Sequence, residues 1–318
     1  MGTHAFRFGV ISETFHDRRQ LQSLACTAED LGYSTLLIRD HLAPDYFGPQ
    51  FAPLTALAFL AGVTTRLRLG TMVIANDFRH PTMLAKEAAT LDVLSNGRFE
   101  LGIGAGWLRN EYDRAGLSFD RNGLRIDRLE ESLQILRACF TRQDIAFAGT
   151  HYTLDGHQHF PPPLHPTGPP ILIGAGLPRM LRLAGKYADI VGLLTVSLSS
   201  GEIRDDIAGR KTTAVKDRIE HIRAGAGNRF DQIELSLVPD IVITDDRAAG
   251  FDHVCCQNDW GGIDHAEIED MPGIFIGSVE QISDQMIARR NELGISYYVI
   301  PDSLMMECAP IVERLSGS

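Results

Sequence analysis

The residue types able to move protons or hold anions sit at a few points of this chain. Asp40-His41 follows the apolar run at residues 34–38. An imidazole at such a point titrates near neutral pH and can exchange a proton with a bound substrate. Gly104-Ala105-Gly106 follows the apolar run at 99–103, and small residues there let a planar ligand approach backbone amides. Gly174-Ala175-Gly176 repeats the arrangement just before a helical run opening at Pro178. A glycine turn entering a helix presents free amides and a positive dipole end, which suits a phosphate. Arg179 in that first turn opposes the dipole, so a bound anion would relieve a misfit. His151 and His157-Gln158-His159 have no carboxylate or second pair at ligand spacing, so a surface cluster is expected and no metal site. Neither GxSxG nor GxxxxGK[ST] occurs, which removes the serine-hydrolase and P-loop readings.

The surrounding elements decide which of these residues converge. Apolar runs at 6–11, 34–38, 67–75, 99–103, 171–173, 190–194, 233–243 and 297–300 read as strands, the seventh interrupted by Pro239. Helical patterns follow each run. Asp17 caps one with Leu21, Leu24, Ala28 and Leu31 on a single face, ended by Gly32. Pro81 opens another, and Ser278 with Gln281 forms a capping box for a helix stopped by Gly294. Eight alternating units predict a (β/α)8 TIM barrel with its site at the C-terminal strand ends. An open doubly wound sheet is the alternative, weakened because the first strand-to-helix turn, SETFHDRR, lacks GxGxxG. Residues 141–169 and 244–273 read as irregular insertions after strands four and seven, and Asp252-His253 and Asp264-His265 as solvated loop.

Composition narrows the partners. A chain of 318 residues suits one barrel with insertions, spanning 1–318 as a single domain. The net charge of −11 argues against a polyanionic nucleic-acid partner. No uninterrupted run of 18 apolar residues occurs, so neither a membrane span nor a signal peptide is expected. Cys26 and Cys139 sit among apolar residues as small buried thiols, and Cys255-Cys256 lack a partner motif. A reducing cytoplasmic compartment is the expectation.

The block at residues 79–111, RHPTMLAKEAATLDVLSNGRFELGIGAGWLRNE, resembles the bacterial luciferase-like superfamily of flavin and deazaflavin oxidoreductases. Asp40-His41 and the stretch at 171–192, ILIGAG…AGKYADIVG, also match, and the pattern looks most like the coenzyme F420-dependent branch. The scarcity of lysine, 4 of 30 basic residues, agrees with the high-GC actinobacteria in which that branch is typical. The resemblance implies a non-prolyl cis peptide at Met72-Val73 behind the cofactor ring. It places Asp40, Ala75, Ala105, Gly106 and Asn110 along the ring and ribityl chain, and Gly176, Leu177, Arg179 and Met180 on the phosphate. His41 matches the catalytic histidine of the deazaflavin sugar dehydrogenases. Where those enzymes carry a tryptophan and a glutamate, this chain has Asp45 and Trp107, so a sugar phosphate is not the expected substrate; Glu13 is a replacement acid. The expected activity is hydride transfer between F420 and a small organic substrate, with an FMN-dependent monooxygenase using oxygen as the alternative. F420 would need a basic rim near Arg79, Arg109 and Arg179. A homodimer is the expected assembly.

Overall fold

The computed structural model describes residues 4–13, 17–44, 47–141, 144–198 and 200–318. Strand β1 (Arg7–Ser12) leads to helix α1 (Arg18–Asp30), whose first amides are satisfied by Asp17: its carboxylate accepts from Arg19 and Gln20 N–H. Gly32 follows at φ +81°, the left-handed turn that lets the chain reverse into β2 (Thr35–Ile38). After α2 (Pro53–Ala61) come β3 (Arg68–Thr71) and β4 (Ile74–Ala75), one barrel strand broken at Met72-Val73, whose peptide is cis. Pro81 opens α3 (Pro81–Leu94), which returns to β5 (Phe99–Gly104). Two helices follow, α4 (Arg109–Ala115) and α5 (Asn122–Thr141).

The 141–169 stretch is not irregular. It contains an antiparallel hairpin of β6 (Asp144–Ala148) and β7 (Thr153–Gln158). The barrel resumes with β8 (Ile171–Ala175), α6 (Pro178–Tyr187) and β9 (Ile190–Leu193). A single turn, α7 (Ile207–Arg210), precedes α8 (Thr212–Ala226) and β10 (Glu234–Leu237). The expected long seventh strand divides at Pro239, which has no N–H for a ladder. Its second half, β11 (Asp240–Ile243), leaves the barrel and pairs in parallel with β12 (Ile274–Gly277). Between them lie α9 (Arg247–Gln257) and α10 (His265–Glu269), so the acidic 244–273 stretch is largely helical; Asp246 and Asp264 are its N-caps. Ser278 and Gln281 make the expected capping box on α11 (Val279–Leu293), and β13 (Ile295–Pro301) and α12 (Met305–Leu315) complete the chain.

The parallel sheet runs β3-β2-β1-β13-β10-β9-β8-β5 and closes through β3–β5 pairing, an eight-stranded barrel as expected. Closure brings two backbones unusually near: a Cβ on Gly102 would lie 1.8 Å from Thr71 O, so only glycine fits there. Thr71 Oγ1 accepts from Gly102 N–H at 2.9 Å across the same seam. The lower barrel layer is polar, with Arg7 bridging Glu100 (2.6 Å) and Glu234 (2.7 Å) above the Tyr297 ring. The turn into β3 hangs on Glu29 of α1, whose carboxylate accepts from Thr65, Arg66 and Leu67 N–H. Desolvation pushes that carboxyl up, but the three backbone donors outweigh it and hold it at about 2. A depressed carboxyl contributes stability that is complete above its unfolded value and lost as pH falls through the folded one. Glu29→Gln is therefore expected to lower the urea midpoint at pH 7, with the gap to wild type closing as the pH falls from about 4.5 toward 2.

Candidate active site

A cavity of about 490 Å³ opens at the C-terminal ends of the barrel strands. That is where loops from successive strand ends can converge without disturbing the core. Residues expected on the cofactor face line it: Asp40, Met72, Val73, Ala75, Ala105, Gly106, Gly176, Leu177 and Met180, together with His41. Asn110 and Arg179 do not. Asn110 is exposed on the first turn of α4, and Arg179 points away, pairing with Asp127 and donating to Gly123 O at 3.1 Å. Asp127, not a bound anion, relieves the charge misfit at that helix start. Of the residues that set this chain apart, Trp107 lines the cavity and Asp45 lies outside the described residues.

The β2 end is fixed by two buried carboxylates. Asp40 accepts from Ala75 N–H at 3.1 Å and takes Arg79 in a two-pronged pair at 2.5 and 3.0 Å, tying β2 to β4. Arg79 is thereby spent on Asp40 and forms no free rim. Nor do Arg109, which lies 4.7 Å over the Phe119 ring, or Arg179 supply cavity lining. The second carboxylate is Glu111 of α4, which is 3% exposed. One of its oxygens accepts from Leu42 and Ala43 N–H at 2.9 and 3.1 Å, and both lie 3.1 Å from His41 Nδ1. A carboxylate so surrounded by donors accepts from Nδ1–H, which leaves His41 Nε2 as the nitrogen free of that bond. The ring is wedged by Phe47 at 4.9 Å and by the Trp107 edge at 6.0 Å. Glu13, the suggested replacement acid, instead pairs with Arg39 at 2.8 Å and is absent from the lining.

The glycines at the β5 end serve the protein first. A Cβ on Gly104 would press on Val73, and Gly106 adopts φ +73° with the Tyr112 hydroxyl 1.9 Å from where its Cβ would be. At the β8 end the α6 N-terminus meets the cavity through Gly176, Leu177 and Met180, and no side chain among the described residues caps it. Its first amides are thus available to an anionic group. The start of α5 adjoins it and brings Arg125, which sequence reasoning missed. This guanidinium is 1% exposed, lines the cavity, stacks 3.9 Å over Phe119 and donates to Asp120 O at 2.6 Å. Its Nε has no hydrogen-bond partner, and no carboxylate pairs with it among the described residues. Burial pulls its pKa below that of an ordinary arginine. Across the cavity, Arg210 is gripped by Asp205 at 2.7 Å and Asp240 at 3.1 Å, and burial pushes the Asp240 carboxyl up. No motif marks this second cluster.

The fold is thus a (β/α)8 barrel whose strand-end cavity holds a histidine–carboxylate pair beside a helix start with no side-chain cap among the described residues. Residues 4–250 match the luciferase-like monooxygenase family, and the chain belongs to it. It is 33% identical over 232 residues to an F420-dependent glucose-6-phosphate dehydrogenase of Nakamurella multipartita, covering 72% of this chain and 65% of that protein. The chain thus spans just under two thirds of that relative's length. Among solved structures it resembles the F420-dependent tetrahydromethanopterin reductase of Methanopyrus kandleri (TM-score 0.75, 17% identity, covering 98% and 99% of the two chains). It also resembles a riboflavin lyase with modified FMN (TM-score 0.76, 14% identity, covering 98% and 91%). At such identities these two likenesses establish the fold.

Gly106→Ala is expected to cost several kcal/mol, since it adds strain at a positive φ of about 1–3 kcal/mol to a collision with a buried hydroxyl. Thermal denaturation would read this as a fall in melting temperature. An unchanged midpoint would mean that Tyr112 moves freely and does not shape the cavity.

Proposed function

We propose that this chain is a coenzyme F420-dependent oxidoreductase that transfers a hydride between the deazaflavin and a small organic substrate. The observation that carries the reading is the pairing, in one cavity, of His41 backed by Glu111 with an uncapped α6 N-terminus and an unpaired Arg125. The residues present fit a flat heterocycle bearing an anionic chain. Met72, Val73, Ala75 and Ala105 would face the ring, and the amides of the α6 start would take the phosphate. Arg125 would meet the negative charge beyond it. Bound there, F420 supplies a carbon that accepts or gives hydride.

The chain's own residues do the rest. Glu111 holds His41 in the Nδ1–H tautomer, so that neutral Nε2 can take a proton from a substrate hydroxyl; the imidazolium so formed, stabilised by Glu111, can in the reverse direction return it to a substrate oxygen that gains charge. Phe47 and Trp107 flank that ring and exclude water, which strengthens the hydrogen bond. Trp107 presents an indole where the sugar dehydrogenases carry a carboxylate, which favours a substrate less polar than a sugar phosphate. The relatives' names support F420 over FMN. A cytoplasmic setting agrees with five free thiols, and no helix among the described residues is long and apolar enough to cross a membrane. A homodimer would cover apolar residues such as Leu94 and Leu164, each more than half exposed.

Titrating the purified chain with F420 and with FMN, read by fluorescence quenching, tests the cofactor. Saturation by F420 is expected, and tight FMN binding with oxygen uptake and none of F420 would overturn the reading. Arg125→Met should weaken F420 binding by about 10–100-fold, the worth of one charged hydrogen-bonding group, while leaving the melting temperature equal or higher because a buried unpaired charge is removed. His41→Ala should slow reduction of bound F420 by about 10²–10⁴; a loss within about threefold would remove His41 from the chemistry.

A further inference from the structure

The hairpin insertion holds a cluster that the redox site does not use. Cys139 lies in the last turns of α5, and His157 and His159 stand two residues apart where β7 ends. The histidines looked like a solvated surface group in sequence, but His159 is 8% exposed and Cys139 is 2% exposed. The thiol sulfur and one ring nitrogen from each histidine all lie within 4.8 Å of one another. Nε2 of both His157 and His159 is buried with no hydrogen-bond partner among the described residues.

Two orphaned imidazole nitrogens beside a thiol are costly, about 1–3 kcal/mol for each buried acceptor left unmade. Native structures keep such groups only when something satisfies them. Neither Nε2 is hydrogen-bonded to the other ring, and protonating both would place two imidazolium charges in one buried site. A cation that accepts both lone pairs and the thiolate satisfies all three. We propose that Cys139, His157 and His159 form a divalent metal site of zinc type, distinct from the cofactor cavity, which fastens the β6–β7 hairpin to α5. Sulfur with imidazole is the donor set zinc prefers, at about 2.3 Å for sulfur and 2.0–2.1 Å for nitrogen. Tetrahedral ligands at those lengths lie roughly 3.5 Å apart, so the three atoms need to close by about 1 Å, within the reach of side-chain rotation. Three protein ligands leave the fourth position to water on the half-exposed His157 side.

The test uses the full chain stripped with a chelator and then loaded with zinc or cobalt. Elemental analysis after gel filtration should find one equivalent of zinc. The cobalt form should show tetrahedral visible bands and a thiolate-to-cobalt charge-transfer band. Cys139→Ala should lose the metal and that band, His157→Ala should lose the metal, and Cys255→Ala/Cys256→Ala should retain both. Circular dichroism checks folding, and if the Cys139 variant is not folded, His157→Ala at the half-exposed edge decides. Zinc should also raise the melting temperature of wild type by several degrees and that of His157→Ala not at all. Failure of wild type to retain zinc, or retention of the equivalent by folded Cys139→Ala or His157→Ala, would overturn the assignment. F420 binding is read separately, so the two proposals stand or fall apart.

Discussion

One carboxylate organises the mouth of the barrel. Glu111 is buried against the loop after β2, and it survives there because its oxygens have donors: the Leu42 and Ala43 amides and the His41 ring. A buried charge without such donors would neutralise or be expelled. With them it becomes a clamp between the loop after β2 and the helix after β5, roughly 70 residues apart in sequence. Asp40 makes a second clamp one residue away, to Arg79 and Ala75. Asp40 and the Glu111 contacts thus tie consecutive residues, 40 and 41–43, to two other elements, so that backbone has little freedom left.

The opposite wall is built on another logic. Around Val73, Gly102 and Gly104 the chain removes side chains so that backbones and a valine can fill the space. The result is an apolar surface in a cavity whose charged lining includes Arg125, the Asp205–Arg210–Asp240 cluster and the Asp40 and Glu111 carboxylates. Arg125 lines the cavity with its Nε buried and without a hydrogen-bond partner among the described residues, a costly arrangement in an isolated fold.

Much of this was legible in the sequence because it is local. Strand ends marked by Asp40-His41, Gly104–Gly106 and Gly174–Gly176, helices opened by Asp17, Pro81 or Ser278, and the barrel implied by their alternation all depend on neighbours a few residues apart. The missing parts depend on distance along the chain. Glu111 was visible only as the last letter of a motif, since nothing local reveals that its carboxylate meets His41. Arg125 looked like any helix-surface arginine, and its burial is decided by Phe119 and Tyr112 folding over it. Cys139 lies eighteen residues before His157, a gap no ligand spacing predicts, and only the hairpin brings them together. The Arg79 and Arg179 rim failed for a related reason: exposed positive residues find carboxylates on neighbouring elements before they find ligands. Helix α9 was hidden by an acidic composition that its N-cap, Asp246, partly explains.

Pro239 has an effect that outlasts the strand it interrupts. By turning β11 out of the barrel it gives the segment through β12 a hydrophobic cluster of its own, Phe251, Val254, Trp260, Ile268, Met271, Ile274 and Ile276. That lobe reaches the cavity through little more than Val238, Asp240 and the Arg210 contact to Trp260. A sub-core separated in this way can be resequenced with energetic effects that stay nearly additive to those of the barrel. The two cores can therefore change separately, so substitutions can accumulate in the lobe without disturbing the packing of the barrel.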